Sequence, residues 1–291
     1  MKENKTASKD LTINELPSNR IEVFFDVIRN RWKTLLGLGA LNFLFLLPLL
    51  IILAVENIIS VQVLGEYQTN IISKEMVTAY LKVTHSIAGL VKIITCSLFS
   101  ISISGSVRII KRLIWAEGID FKYDFTMGIR ENGKRMLALF LIIGAVTVAE
   151  DVAPYILNDV SQLSNMAYTA VCSVLTASKL LIMLPIGAFV FSQIAFYDNK
   201  LCIMAKNSIA FCGKTMIRTY GIICVIYLPY KMLLTLCGVA TQMLIQSLAC
   251  LVLLPLIIMI WLLYSSAVFD QYVNKVFYPE VVDKGIWRRE E

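Results

Sequence analysis

Apolar residues fall in six long runs along this chain, at roughly 34 to 55, 86 to 107, 136 to 157, 169 to 197, 219 to 238 and 243 to 268. A helix of about 20 apolar residues crosses a hydrocarbon core of about 30 Å, and each run is about that long or longer. The pattern predicts an all-α, polytopic membrane protein with six transmembrane helices. It also divides the chain into an N-terminal segment 1–18 expected to be flexible, a single membrane domain 19–268 and a C-terminal tail 269–291. The 30 residues from 56 to 85 read as a loop.

The cations alternate with the apolar runs. Of 27 Lys and Arg residues, seven lie in residues 1–33, seven in 108–135, four in 198–218 and four from 269 onward. The intervening segments hold only Lys74 and Lys82, while Lys92, Lys179 and Lys231 lie within the apolar runs. Short cation-rich loops stay on the cytoplasmic side, so both termini and both basic loops are expected there. Composition agrees, with 57% hydrophobic and 16% charged residues and a net charge of +6, against about a quarter charged in a soluble domain. The positive charge is expected to face anionic lipid headgroups and not nucleic acid, for which no binding signature is present. The first apolar run follows 33 polar and charged residues, which predicts a retained span and not a cleaved signal.

Three segments leading into odd-numbered spans share one physical form. Asn19 and Glu22 read as a capping box opening a helix with Ile21, Phe24, Phe25, Ile28 and Trp32 on one face and Arg29, Arg31 and Lys33 elsewhere. Phe24, Ile28, Arg29 and Lys33 align with Phe125, Ile129, Arg130 and Lys134 at an offset of 101, and Gly133-Lys134-Arg135-Met136 is echoed by Gly213-Lys214-Thr215-Met216. Ile109, Ile110, Leu113 and Ile114 form a further apolar stripe beside Arg108, Lys111 and Arg112. The expectation is three helical hairpins, each introduced by an amphipathic elbow helix lying in the cytoplasmic interface, with Asp124 capping the second. Arg29, Lys33, Arg108, Lys111, Arg112, Arg130, Asn132 and Lys134 form the candidate cytoplasmic interaction surface.

Ionisable residues inside spans are the main functional candidates, because a charge there costs at least a few kcal/mol and finds a partner or a wet cavity. Glu150, Asp151, Lys179 and Lys231 make up the candidate intramembrane polar site. Two readings of the carboxylates stand open: either pairs with a snorkelling Lys179, or both mark an early end of the third helix before Pro154. Lys92 is expected to snorkel outward. Four Leu-Pro pairs, at Pro48, Pro185, Pro229 and Pro255, bend helices and form either a gate or ordinary membrane-helix prolines. Ser97, Ser100 and Ser104 share a face suited to close helix packing.

Enzyme inventories are missing. With His85 the sole histidine, no HExxH site can form, and there is neither a GxSxG elbow nor a Walker loop. Seven cysteines without CxxC spacing read as packing residues, with Cys172 and Cys237 the one disulfide worth testing. No cofactor is expected.

The run Gly105-Ser106-Val107-Arg108-Ile109-Ile110-Lys111-Arg112-Leu113, followed by Asp124-Phe125-Thr126-Met127-Gly128-Ile129-Arg130-Glu131-Asn132-Gly133-Lys134, resembles the central signature of the YesL-like family, a domain of unknown function. Leu41 to Pro48 and Lys206-Asn207-Ser208-Ile209 are similar to other parts of that family. The resemblance implies a bacterial plasma-membrane location and an accessory, partner-binding role beside a transporter or sensor. The other readings are a small-solute transporter with a path near Lys179 and the prolines, and a membrane enzyme acting on lipid precursors.

Overall fold

The computed structural model describes residues 16–161, 165–236 and 238–287. The helices are α1 (Arg20–Gln68), α2 (Lys74–Ile114), α3 (Phe121–Ser161), α4 (Asn165–Ser178), α5 (Leu184–Phe196), α6 (Leu201–Lys214), α7 (Met216–Leu236), α8 (Val239–Leu248), α9 (Leu254–Phe269) and α10 (Lys275–Phe277). There is no strand among the described residues. Single π-helical turns, Lys179–Met183 and Ala249–Leu253, join α4 to α5 and α8 to α9, and a third, Asp270–Asn274, joins α9 to α10. Five continuous helical stretches are long and apolar enough to cross a membrane, and a sixth is reached if the bent pair α6 and α7 counts as one.

The ends of these helices are set by local chemistry. Asn19 caps α1 by accepting from the Glu22 amide at 2.9 Å, and Glu22 accepts in return from the Ser18 amide at 2.6 Å. Arg31 leaves helical geometry (φ −128°, ψ 20°), which divides α1 into a short opening segment and a long one. Residues 56–85 are not a loop: α1 runs on to Gln68 and α2 starts at Lys74, with Asn70 in the left-handed region (φ 57°) turning the chain. Polar residues lower the hydropathy there without ending the helix. A helix stops where its backbone bonds are capped, and here that is Thr69 to Ser73. At α3 the cap is Asp120, not Asp124. Asp120 accepts from the Tyr123 amide at 3.0 Å, while Asp124 accepts from the Asp120 amide at 2.9 Å. From Phe121, α3 continues unbroken to Ser161, so Phe125 and Arg130 lie on the same rod as the apolar run. By contrast, α6 and α7 meet at 94°.

The core sits toward the end of the molecule that carries Asn19, the α2–α3 connection and the start of α6. Ile109, Ile110, Leu113 and Ile114 are buried there with Met136, Ile194, Met204 and Leu262. That corrects the expectation that this stripe lies on lipid: α2 keeps its apolar face against protein. A second cluster joins Phe189, Phe211, Trp261 and Phe269. In α1 the opening segment buries Val23 and Val27 and exposes Ile21, Phe25 and Trp32.

Small residues bring α1, α2 and α3 close. A Cβ on Gly89 would strike Val148 at 2.6 Å, and one on Gly128 would strike the Ser104 carbonyl oxygen at 2.7 Å. Ser102 and Ser106 both donate to the buried Asn42 carbonyl oxygen, at 2.7 and 2.9 Å. The C-terminal segment is no free tail. Helix continues to Phe277, and the Trp287 amide donates to the Pro17 carbonyl at 2.9 Å.

Candidate functional site

Two side-chain bonds fix a common level at the basic end. Lys111 Nζ donates to the Ala195 carbonyl at 2.9 Å and Arg135 to the Tyr197 carbonyl at 3.1 Å. Counting along each helix at 1.5 Å per residue, Asp151 stands about 24 Å above Arg135, Lys179 about 27 Å above Tyr197, and Lys92 about 28 Å above Lys111. All three stand at about one height, 24 to 28 Å from the level of the Lys111 and Arg135 bonds by helical rise.

At that height Lys92 is the centre of a buried ionic cluster. Its Nζ lies 2.7 Å from Glu56 Oε2 and 2.9 Å from Asp151 Oδ2, while His85 Nδ1 lies 2.6 Å from Glu56 Oε1. Helices α1, α2 and α3 each contribute. Asp151 therefore pairs with Lys92 and not with Lys179, and α3 passes through this position without ending. Lys92 does not snorkel outward; it is 9% exposed and held between two carboxylates. The side chains of Glu150 and Lys231 lie outside the described residues, as does Cys237, while Cys172 is a free thiol.

Sequence reasoning missed Glu56 and His85. The signal was the turn: counted outward from Asn70 and Ile71, Glu56 and His85 fall at equal distances along antiparallel helices. Among the described residues, no group of three His, Cys, Asp or Glu side chains is placed to hold a metal ion.

Lys179 heads a different feature. A cavity of about 540 Å³ opens between α3, α5, α7 and α9, lined by Leu139, Ile143, Gly187, Phe191, Ile257 and Trp261 among others, with Lys179 at its far end. Among its lining side chains only Lys179, Thr147, Tyr227, Met183, Cys250 and Trp261 carry nitrogen, oxygen or sulfur. The indole N–H is occupied, donating to the Ala188 carbonyl at 2.7 Å. From Lys179 to Phe191 the slot is about 18 Å tall by helical rise.

Its two flanking π turns stand immediately before Pro185 and Pro255. Each proline lacks the N–H that the carbonyl four residues earlier would accept. For Pro185 that carbonyl is Leu181, which instead accepts from the Tyr220 hydroxyl. For Pro255 it is Leu251, against whose oxygen the α-carbon of Gly39 is seated, so closely that no Cβ fits. The prolines thus shape a wall whose loose backbone groups are met by other helices.

At the basic end the candidate surface divides in two. Arg29, Lys33, Arg130 and Lys134 are exposed. Arg108, Lys111, Arg112 and Asn132 are partly or wholly buried and hold the fold together. Arg108 pairs with Glu131, Arg112 pairs with Asp124 and lies 3.2 Å from Glu117, and Lys111 stands 4.4 Å over the Trp115 ring. Arg108 and Arg112 are thus engaged within the fold by acidic residues, and ions taken partly out of water keep such partners.

Glu117, in the connection between α2 and α3, shows the balance. Burial raises its carboxyl pKa, but the bond and charge of Lys284, 2.8 Å away, and the charge of Arg112 outweigh that and hold it below 4.5. No protein-family model, curated protein or solved structure matches this chain.

Proposed function

We propose that this is a multi-pass, non-enzymatic protein of a bacterial plasma membrane, built as three hairpins with both termini cytoplasmic, whose ligand is an anionic amphiphile. One acyl chain occupies the slot between α3, α5, α7 and α9, and the anionic headgroup meets Lys179 at the outer interface. What supports this reading is an apolar slot about 18 Å tall by helical rise with Lys179 at its end; with the cation-rich end taken as cytoplasmic, that end falls near the outer headgroups. Each methylene buried there contributes about 0.8 kcal/mol, and the cation selects the sign of the head. A path for a small polar solute finds little support in such a wall, because a polar solute would lose its water without gaining bonds.

In this reading the protein is an accessory of a transport or sensing system, and Arg29, Lys33, Arg130 and Lys134 are what it offers to a partner or to anionic lipid. The YesL-like resemblance over residues 105–134 supports the same role. The segment around Phe25 and Trp32 acts as an interfacial elbow, and the 94° bend between α6 and α7 is in keeping with another. The test is thermal unfolding of purified protein in detergent, titrated with phosphatidylglycerol or with phosphatidylcholine. Phosphatidylglycerol should raise the melting temperature more, and the difference should vanish in Lys179→Ala. Filling the slot with Gly187→Phe should abolish stabilisation by either lipid. Equal stabilisation of wild type and Lys179→Ala by phosphatidylglycerol would refute the assignment.

A further inference from the structure

We propose that two copies of this chain pair through α2, along a stripe that begins outside the bilayer and continues into it. Met76, Tyr80, Val83, Ile87, Leu90 and Ile94 follow spacings of four and three in strict alternation. That is the seam of a left-handed two-helix coil, with Tyr80, Ile87 and Ile94 at one core position and Met76, Val83 and Leu90 at the other. All six are exposed, from 46% at Met76 to 66% at Leu90. The opposite face of α2 is spent within the chain, where Gly89 abuts Val148 and Lys92 is sealed by Glu56 and Asp151.

Lipid explains exposed apolar residues only within the hydrocarbon. Ile87 lies about 36 Å above the Lys111 level and Met76 about 52 Å above it by helical rise, beyond a core of about 30 Å. Met76, Tyr80 and Val83 therefore face water unless protein covers them, and an apolar row of that kind marks an interaction site.

The spacing says what covers it. A straight helix drifts from a 3.5-residue repeat by about 20° per heptad, so a row kept in this register for three heptads matches another helix that supercoils with it. In the layer of Ile87 and Leu90, isoleucine at the first core position with leucine at the second is the combination that favours two parallel strands. Two copies inserted the same way in one bilayer present their α2 helices parallel, related by a two-fold axis along the membrane normal. The occupant is thus a second copy of this chain. The slot below Lys179, on α3, α5, α7 and α9, is separate from this seam.

The experiment is oxidative crosslinking in native membranes, in a background with all seven cysteines replaced by serine. Val83→Cys and Tyr80→Cys should each yield a disulfide-linked dimer. Leu64→Cys, similarly exposed on α1 at 45%, should stay monomeric. Independently of that background, the wild-type chain in mild detergent should have a protein mass twice 32.7 kDa by light scattering, and Val83→Glu with Ile87→Glu should halve it without changing the helical circular dichroism. A monomeric wild-type mass together with equal crosslinking at Val83→Cys and Leu64→Cys would overturn the proposal.

Discussion

Gly39 is valuable for what it lacks. It stands on α1 against the Leu251 carbonyl, four residues before Pro255, and any side chain would occupy the same space as that oxygen. Backbone cannot give way as a side chain can, so Gly39→Ala should cost about 1–3 kcal/mol, the usual range for overpacking. Gly37→Ala is the control, since its Cβ would meet only the Phe121 ring, at 3.6 Å. Thermal unfolding in detergent should show a marked fall for the first and almost none for the second, and similar melting temperatures would contradict the close approach.

Lys92 illustrates the opposite case, a side chain needed because of its neighbours. Removing its charge leaves Glu56 and Asp151 facing one another where water is scarce, and breaking a buried ion pair from one side costs about 3–5 kcal/mol. Asp151 is about a third exposed, so the lower part of that range is expected for Lys92→Met. Adding Glu56→Gln and Asp151→Asn removes the stranded charges and should restore most of the stability. A triple variant as unstable as Lys92→Met would show that the lysine acts through packing and not through charge.

At the scale of elements, the C-terminal segment is fastened as a strap across the ends of α2 and α9. Asp283 donates its amide to Asp270 at 3.1 Å, Lys284 bonds Glu117 at 2.8 Å while standing 4.1 Å over Trp115, and the Trp287 amide reaches Pro17. Gly285 makes the bend between them with φ +87°, a conformation open to glycine, and a Cβ there would overlap the Ile114 carbonyl. Because the folded pKa of Glu117 lies below its ordinary 4.5, its contribution is complete above that pH and is lost as pH falls through the folded value. The strap should therefore loosen only in acid in the wild type, and at neutral pH in Gly285→Ala. Hydrogen-exchange protection at the Trp287 amide measures both, and protection unchanged in Gly285→Ala would remove the glycine from the account.

Helices and their order are written locally, and so the apolar runs at 34 to 55 and 86 to 107 point to real helices in α1 and α2. What hydropathy reports is the solvent around a helix and not its end. Hence the stretch 56–85 reads as a loop although both helices traverse it, and the turn at Asn70 went unread. The Leu-Pro pairs are equally legible as bends, but the groups that answer them are not. Tyr220 lies 39 residues from Leu181, and Gly39 lies 212 from Leu251. Asp151 was visible as a buried charge, whereas its partner depended on heights that only the helix ends and cross-links at Lys111 and Arg135 supply. Arg108 and Arg112 look like a docking surface in sequence because their acidic partners Glu131 and Asp124 arrive on the next helix.

For the whole molecule, the distribution of charge and the lengths of the helices bear on the same orientation. Cations gather at the end where Pro17 meets Trp287, and the opposite end extends as the tips of α1 and α2, where Asn70 is exposed at the turn. The long segment of α1 from Trp32 to Gln68 measures about 55 Å by helical rise, so roughly 25 Å of it must project beyond a core of about 30 Å. If the cation-rich end is retained in the cytoplasm, the α1–α2 tip projects outward, which places the Lys92 cluster at the outer interface and Lys179 beside the outer headgroups. An impermeant maleimide added to intact cells tests this, in a background in which the exposed Cys202 and Cys224 are serine. Asn70→Cys should label from outside, whereas Lys122→Cys and Lys206→Cys should label only after permeabilisation. Labelling of Lys122→Cys in intact cells would invert the molecule and move the slot's cation to the inner leaflet, where the lipid titration with Lys179→Ala would still register a ligand but its leaflet would be reversed.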